Sequence, residues 1–101
     1  MPYGLKTHII DELQKVFRKY PQVERVLLYG SRAKGNYKEG SDIDLTIIAK
    51  EIDLKILHKI ENEIDDLLLP YKIDLSIFSE IDNKSLLEHI DRVGVLFYGR
   101  E

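Results

Sequence analysis

Apolar residues in this chain recur at two different periods, and the alternation between them confines the fold. In Thr7–Tyr20, residues Ile9, Ile10, Leu13, Val16, Phe17 and Tyr20 fall three and four apart, the period of a helix face, and Pro21 ends the stretch. Glu24–Tyr29 is a short aliphatic run of strand type. Asp42–Ala49 alternates strictly, with Ile43, Leu45, Ile47 and Ala49 on one face and Asp42, Asp44, Thr46 and Ile48 on the other. A second helical stripe, Leu57, Ile60, Ile64, Leu67 and Leu68, is expected from an N-cap at Asp53 to about Leu69, stopped by Pro70. Lys72–Ser79 alternates again, setting Ile73, Leu75 and Ile77 against Asp74, Ser76 and Phe78. Asn83–Val93 reads as a last helix closed by Gly94, and Val95–Tyr98 as a short final strand. The order predicts an α/β (α+β) architecture: a single sheet with helices packed mainly on one face.

At 101 residues the chain is expected to form one domain over 1–101, and it has no cysteine for a disulfide, a thiolate nucleophile or a cysteine zinc site. Its formal net charge of −3 argues against a broad electropositive surface for duplex nucleic acid. The N-terminal sequence MPYGLKTHIIDEL has no long apolar core, so neither a signal peptide nor a membrane span is expected and a cytoplasmic location is inferred.

The stretch Tyr29–Leu45, YGSRAKGNYKEGSDIDL, carries the chemistry. Residues two apart in a strand point the same way about 6–7 Å apart, so Asp42 and Asp44 aim at one region. Asp74 repeats the pattern in a later apolar run, and three carboxylates converge if that strand lies beside the Asp42 strand. Carboxylates held together repel, and aspartate is a poor strand former, so the arrangement gains no stability without a compensating cation. Hard oxygen ligands of this kind suit magnesium or manganese. Two such ions about 3.5–4 Å apart can hold both the attacking and the leaving oxygen of a phosphoryl displacement. Gly30 lets the backbone approach a ligand closely, and a short helix starting there would offer free amides, and Ser31 a hydroxyl, to a phosphate. Arg32, Lys34 and Lys38 are the candidate contacts for a triphosphate, Arg32 first because it lies closest to the turn. Singly, each piece has a plain structural account: a loop cap, carboxylates facing water, an ordinary strand-to-helix turn. The combination is what points to a magnesium-dependent nucleotide site.

GSRAKG, then SDIDL, then KIDLSIF resembles the DNA polymerase β-like nucleotidyltransferase superfamily, and the small size resembles its minimal nucleotidyltransferase (MNT) domain proteins. The resemblance implies a mixed sheet flanked by helices. It implies Gly30 and Ser31 on the phosphates, magnesium on Asp42 and Asp44, and Asp74 as third carboxylate, metal ligand and base toward the attacking hydroxyl. The implied reaction moves a nucleoside monophosphate, usually AMP from ATP, to a hydroxyl and releases pyrophosphate. MNT proteins of this size resemble antitoxins that adenylylate a tyrosine of a partner, a HEPN-domain toxin. The chain is almost all catalytic core, so the acceptor is expected to bring its own binding surface. The alternative is a binding module that masks its partner stoichiometrically; a small-molecule nucleotidyltransferase or an RNA-tailing enzyme fits the chain less well.

Other features have structural explanations. His8, His58 and His89 lack metal-ligand spacing and read as surface or partly buried histidines. Tyr37 is a loop aromatic near the proposed nucleotide. The tail Gly99–Glu101 is expected to fray.

Overall fold

Helix α1 (Thr7–Arg18) forms where the stripe places it and buries Ile9, Leu13, Val16 and Phe17. The computed structural model describes residues 2–100. Helix α3 (Leu54–Asp66) starts at Asp53, whose Oδ1 accepts the Ile56 amide at 2.9 Å. Helix α4 (Lys84–Val93) starts at Asn83, whose Oδ1 accepts the Leu86 amide at 3.1 Å. Each cap satisfies an amide that the helix leaves without a partner and contributes about 1 kcal/mol. Between strands β1 (Val23–Tyr29) and β2 (Ile43–Ala49) lies a five-residue helix, α2 (Gly30–Lys34), which starts at the glycine of the turn.

The sheet is mixed, in the order β3-β2-β1-β4, with β3 at Ile73–Ile77 and β4 at Val95–Gly99. Strand β1 is antiparallel to β2 and to β4, whereas β2 and β3 are parallel. The parallel pair follows from its connection, since only a crossover such as α3 can return the chain to the same end of the sheet. Val26 and Leu28 of β1 and Ile43, Leu45 and Ile47 of β2 are wholly buried in one core with Leu13, Phe17 and Ile60 from the helices. Each such aliphatic side chain contributes about 1.5–3 kcal/mol of transfer free energy. Helices α1 and α3 contact each other across this core. Helix α4 is the exception to one-sided packing: it meets α2 and β1, and its His89 faces Tyr29, the neighbour of core-facing Leu28.

Several boundaries differ from the sequence reading: α1 ends at Arg18 rather than Tyr20, and β2 starts at Ile43, which leaves Asp42 in the loop before it. Helix α3 stops at Asp66, short of Leu69, because Leu68 turns into the left-handed region (φ 53), where glycine is usual. The last amides tighten to three-residue bonds, Leu67 to Ile64 at 3.0 Å and Leu68 to Asp65 at 3.1 Å. Strand β3 ends at Ile77, where Phe78–Glu80 closes a 3-10 turn. Gly99 and Arg100 do not fray: Gly99 closes β4, and the Arg100 amide reaches Glu24 O at 3.0 Å. The Arg100 guanidinium bonds the Val23, Arg18 and Tyr20 carbonyls at 3.3, 2.9 and 3.1 Å. Glu101 lies outside the described residues. Among the described residues no helix is long and apolar enough to cross a membrane.

With this topology the C-terminal end of β1 and the N-terminal ends of β2 and β3 share one end of the sheet.

Candidate active site

Strand β1 runs out at Tyr29, and Gly30 turns the chain with φ 75 into α2. A side chain is excluded there on two counts. The left-handed backbone disfavours it, and a Cβ would stand 2.1 Å from Asp44 Oδ2. Glycine is therefore what allows the Asp44 carboxylate to lie against the turn. Gly35 closes α2 in the left-handed conformation, its amide reaching Ser31 O at 2.8 Å.

The strand registers gather the acids. Tyr29 of β1 is opposite Asp44, and Asp44 is beside Asp74 of β3. Neighbouring strands lie about 4.8 Å apart and register partners share a face, so Asp44 and Asp74 project together on the side away from the main core. Asp42 is exposed, in the loop just before β2. The Asp44 carboxyl is raised above its ordinary range, first by burial, then by the charges of Asp74 and Asp42, with His89 pulling the other way. The Tyr29 phenol is raised by burial; its contact with Ser76 works against the rise, while Asp74 and Asp44 add to it. Both shifts place these side chains within one another's field. Among the described residues, however, no three acidic or histidine groups close into a metal cage. The carboxylates form an open acidic face.

The donor set fits a hard divalent cation. It consists of carboxylate oxygens; burial first, and then the charges of Asp74 and Asp42, bias Asp44 toward its protonated form, and a cation there would reverse that bias. Of the three expected ligands, Asp44 and Asp74 share one face there, and Asp42 lies in the loop just before β2.

Arg32 has a different employment from the expected phosphate contact. It is 2% exposed, and its guanidinium donates to Ser41 O from Nε at 3.1 Å and Nη2 at 2.8 Å, and to Tyr3 O from Nη1 at 2.8 Å. The faces of Tyr37 and Tyr71 lie 5.3 and 4.9 Å from it. Arg32 thus fastens the N-terminal turn to the loop that delivers Asp42, and Tyr37 packs on that fastening. Lys34 and Lys38 are exposed.

Sequence reasoning missed His89. The Gly30 amide donates to His89 Nε2 at 3.0 Å, and the imidazole meets Tyr29 edge-on at 6.2 Å. Nothing in the spacing of α4 connects it to a turn 59 residues earlier. Only the packing of α4 against β1 could have revealed it.

Residues 11–101 match the family described as Polymerase beta, Nucleotidyltransferase. A Methanocaldococcus jannaschii protein whose name proposes protein adenylyltransferase activity is 34% identical over 75 aligned residues, covering 60% of this chain and 76% of the relative. The crystal structure of a toxin–antitoxin with AMP-PNP superposes with a TM-score of 0.72 at 20% identity, over 91% of this chain and 74% of that one. A tri-AMPylated Shewanella oneidensis HEPN toxin in complex with MNT antitoxin gives a TM-score of 0.69 at 17% identity, over 95% and 74%. At these identities the solved structures establish a shared fold.

Proposed function

We propose, from the premise that the chain belongs to the polymerase β nucleotidyltransferase family, that it transfers AMP from ATP to a hydroxyl of a partner protein, a tyrosine of a HEPN-domain toxin, and so acts as that toxin's antitoxin. The observation that carries the proposal is the meeting of Asp44 and Asp74 in register beside a glycine that has no room for a side chain. The acceptor and the nucleotide assignment draw on the name of the archaeal relative and on the toxin–antitoxin complexes that share the fold.

In this reading Ser31 offers its amide and hydroxyl to the phosphates, as the first amides of a helix do. Arg32 holds the Asp42 loop in place rather than touching the nucleotide. Asp42, Asp44 and Asp74 would hold two Mg²⁺ ions, which when bound would supply the positive charge that neutralises the triphosphate and polarises the α-phosphate. The acceptor hydroxyl oxygen attacks the α-phosphorus, and an O–P bond forms. The bond from the α-phosphorus to the bridging oxygen breaks, and pyrophosphate leaves. Asp74, the exposed member of the β2–β3 acidic pair, takes the hydroxyl proton.

The test is incubation with α-labelled ATP, magnesium and a HEPN-domain toxin, sought first as the product of the gene neighbouring this chain's own. Label should move to the toxin, and Asp42→Asn with Asp44→Asn should reduce transfer by at least about a hundredfold, as loss of electrostatic catalysis does. Transfer that survives the double substitution removes the mechanism. Protection from the toxin that survives loss of transfer favours stoichiometric masking.

A further inference from the structure

We infer that His89 is a positioning residue: through Nε2 it fixes the Gly30 amide and so sets the turn that grips the nucleotide phosphates. The inference rests on the nucleotidyltransferase reading of that turn and extends it to a residue of α4.

Gly30 is the first residue of a five-residue helix, so its amide has no partner within the helix. His89 supplies one at 3.0 Å. That bond fixes the plane of the Tyr29–Gly30 peptide. The other side of the same glycine lies against Asp44, where even a Cβ would collide. Gly30 is thus held between an imidazole and a carboxylate, and the orientation of its peptide sets how Ser31 faces the site. Tyr29 braces the imidazole from the edge.

The contact also limits what His89 can do. An imidazole nitrogen that accepts an amide hydrogen carries no proton of its own, so the other nitrogen, Nδ1, carries it. The lone pair of Nε2 is engaged with Gly30. His89 is therefore not the base for the acceptor hydroxyl, and its part in the reaction passes through Gly30. Within α4 only Ile90 is fully buried, which makes the His89 bond the polar link between a lightly packed helix and the site.

The experiment uses the full chain with Mg²⁺ and AMP-PNP as the probe. His89→Phe keeps a ring against Tyr29 and removes the acceptor. His89→Gln restores an acceptor at similar reach. AMP-PNP should bind about tenfold more weakly to His89→Phe, the equivalent of one hydrogen bond, and within about threefold of the original affinity to His89→Gln. In hydrogen exchange the Gly30 amide should be protected in the unsubstituted protein and fast in His89→Phe. A purely packing role would lower the melting temperature of both variants alike and leave the Gly30 amide unchanged. Unchanged or tighter binding by His89→Phe overturns the inference, as does a Gly30 amide that exchanges freely in the unsubstituted protein. A protein that binds no Mg-AMP-PNP at all sinks the nucleotide reading instead. The Gly30 amide still reports the His89 contact independently.

Discussion

Strands β2 and β3 carry two successive rungs on the same face, and the two are opposites. At the inner rung Ser76 Oγ donates to Thr46 Oγ1 at 3.0 Å, and Thr46 is wholly buried. A donor meets an acceptor, and the pair belongs to the fold. At the outer rung Asp44 stands beside Asp74, two acceptors with like charge, in the same register and on the same backbone geometry. Two residues along the strand, the same positions pass from closing the structure to opposing it. The conflict is confined to the end of the sheet where Gly30 and Asp42 also lie. A local rule broken there, and obeyed one rung away, marks where function and stability diverge.

The sharpest way to break the contrast is at Gly30. Gly30→Ala puts a Cβ into Asp44 and strains a left-handed backbone. Denaturant unfolding should show a loss of about 1–3 kcal/mol, and Mg-AMP-PNP binding should disappear. At the inner rung Thr46→Val removes a hydroxyl from a wholly buried position and the acceptor that Ser76 uses there. It should lower stability by about 1–2 kcal/mol by the same assay, with nucleotide binding retained. At the outer rung the sign reverses. Asp44→Asn removes a like-charge contact and should raise the melting temperature of the metal-free protein slightly, worth under about 1 kcal/mol, while abolishing transfer.

The same substitution should change the pH dependence. Asp44 titrates higher in the folded chain than in the unfolded one, so the folded state holds its proton more tightly. Metal-free protein therefore loses stability as the pH rises through the folded-state value of Asp44, and thermal melts of Asp44→Asn across that range should lack this part of the slope. The smallest effect lies away from both rungs. Leu68 is 87% exposed with a left-handed backbone, and Leu68→Gly should gain up to about 1 kcal/mol in denaturant unfolding without altering nucleotide binding.

Much of this was legible in the sequence because two periods and their stops were unambiguous. The alternation of Ile43, Leu45 and Ile47 with Asp44 and Thr46 gave both the strand and its buried face. Asp53 announced its helix as a cap, and Asn83, read as the start of the last helix, caps it in the structure. Asp74 was placed with Asp44 by pattern, and the parallel register puts them side by side. What escaped was long-range geometry. Arg32 reads as a loop cation next to a phosphate turn, yet carbonyls 9 and 29 residues away claim its guanidinium. His89 reads as one more helix histidine, because nothing local ties α4 to Gly30. The end of α3 escaped since a leucine takes the left-handed position that a glycine would have signalled.

The measurement that bears most directly on the outer rung is thermal unfolding with and without saturating Mg-AMP-PNP. A ligand that binds only the folded state at a hundred times its dissociation constant stabilises by about 2.7 kcal/mol. The melting temperature of the unsubstituted protein should rise accordingly, and that of Asp44→Asn with Asp74→Asn should not. Equal melting temperatures for the unsubstituted protein in the presence and absence of the ligand would contradict the account.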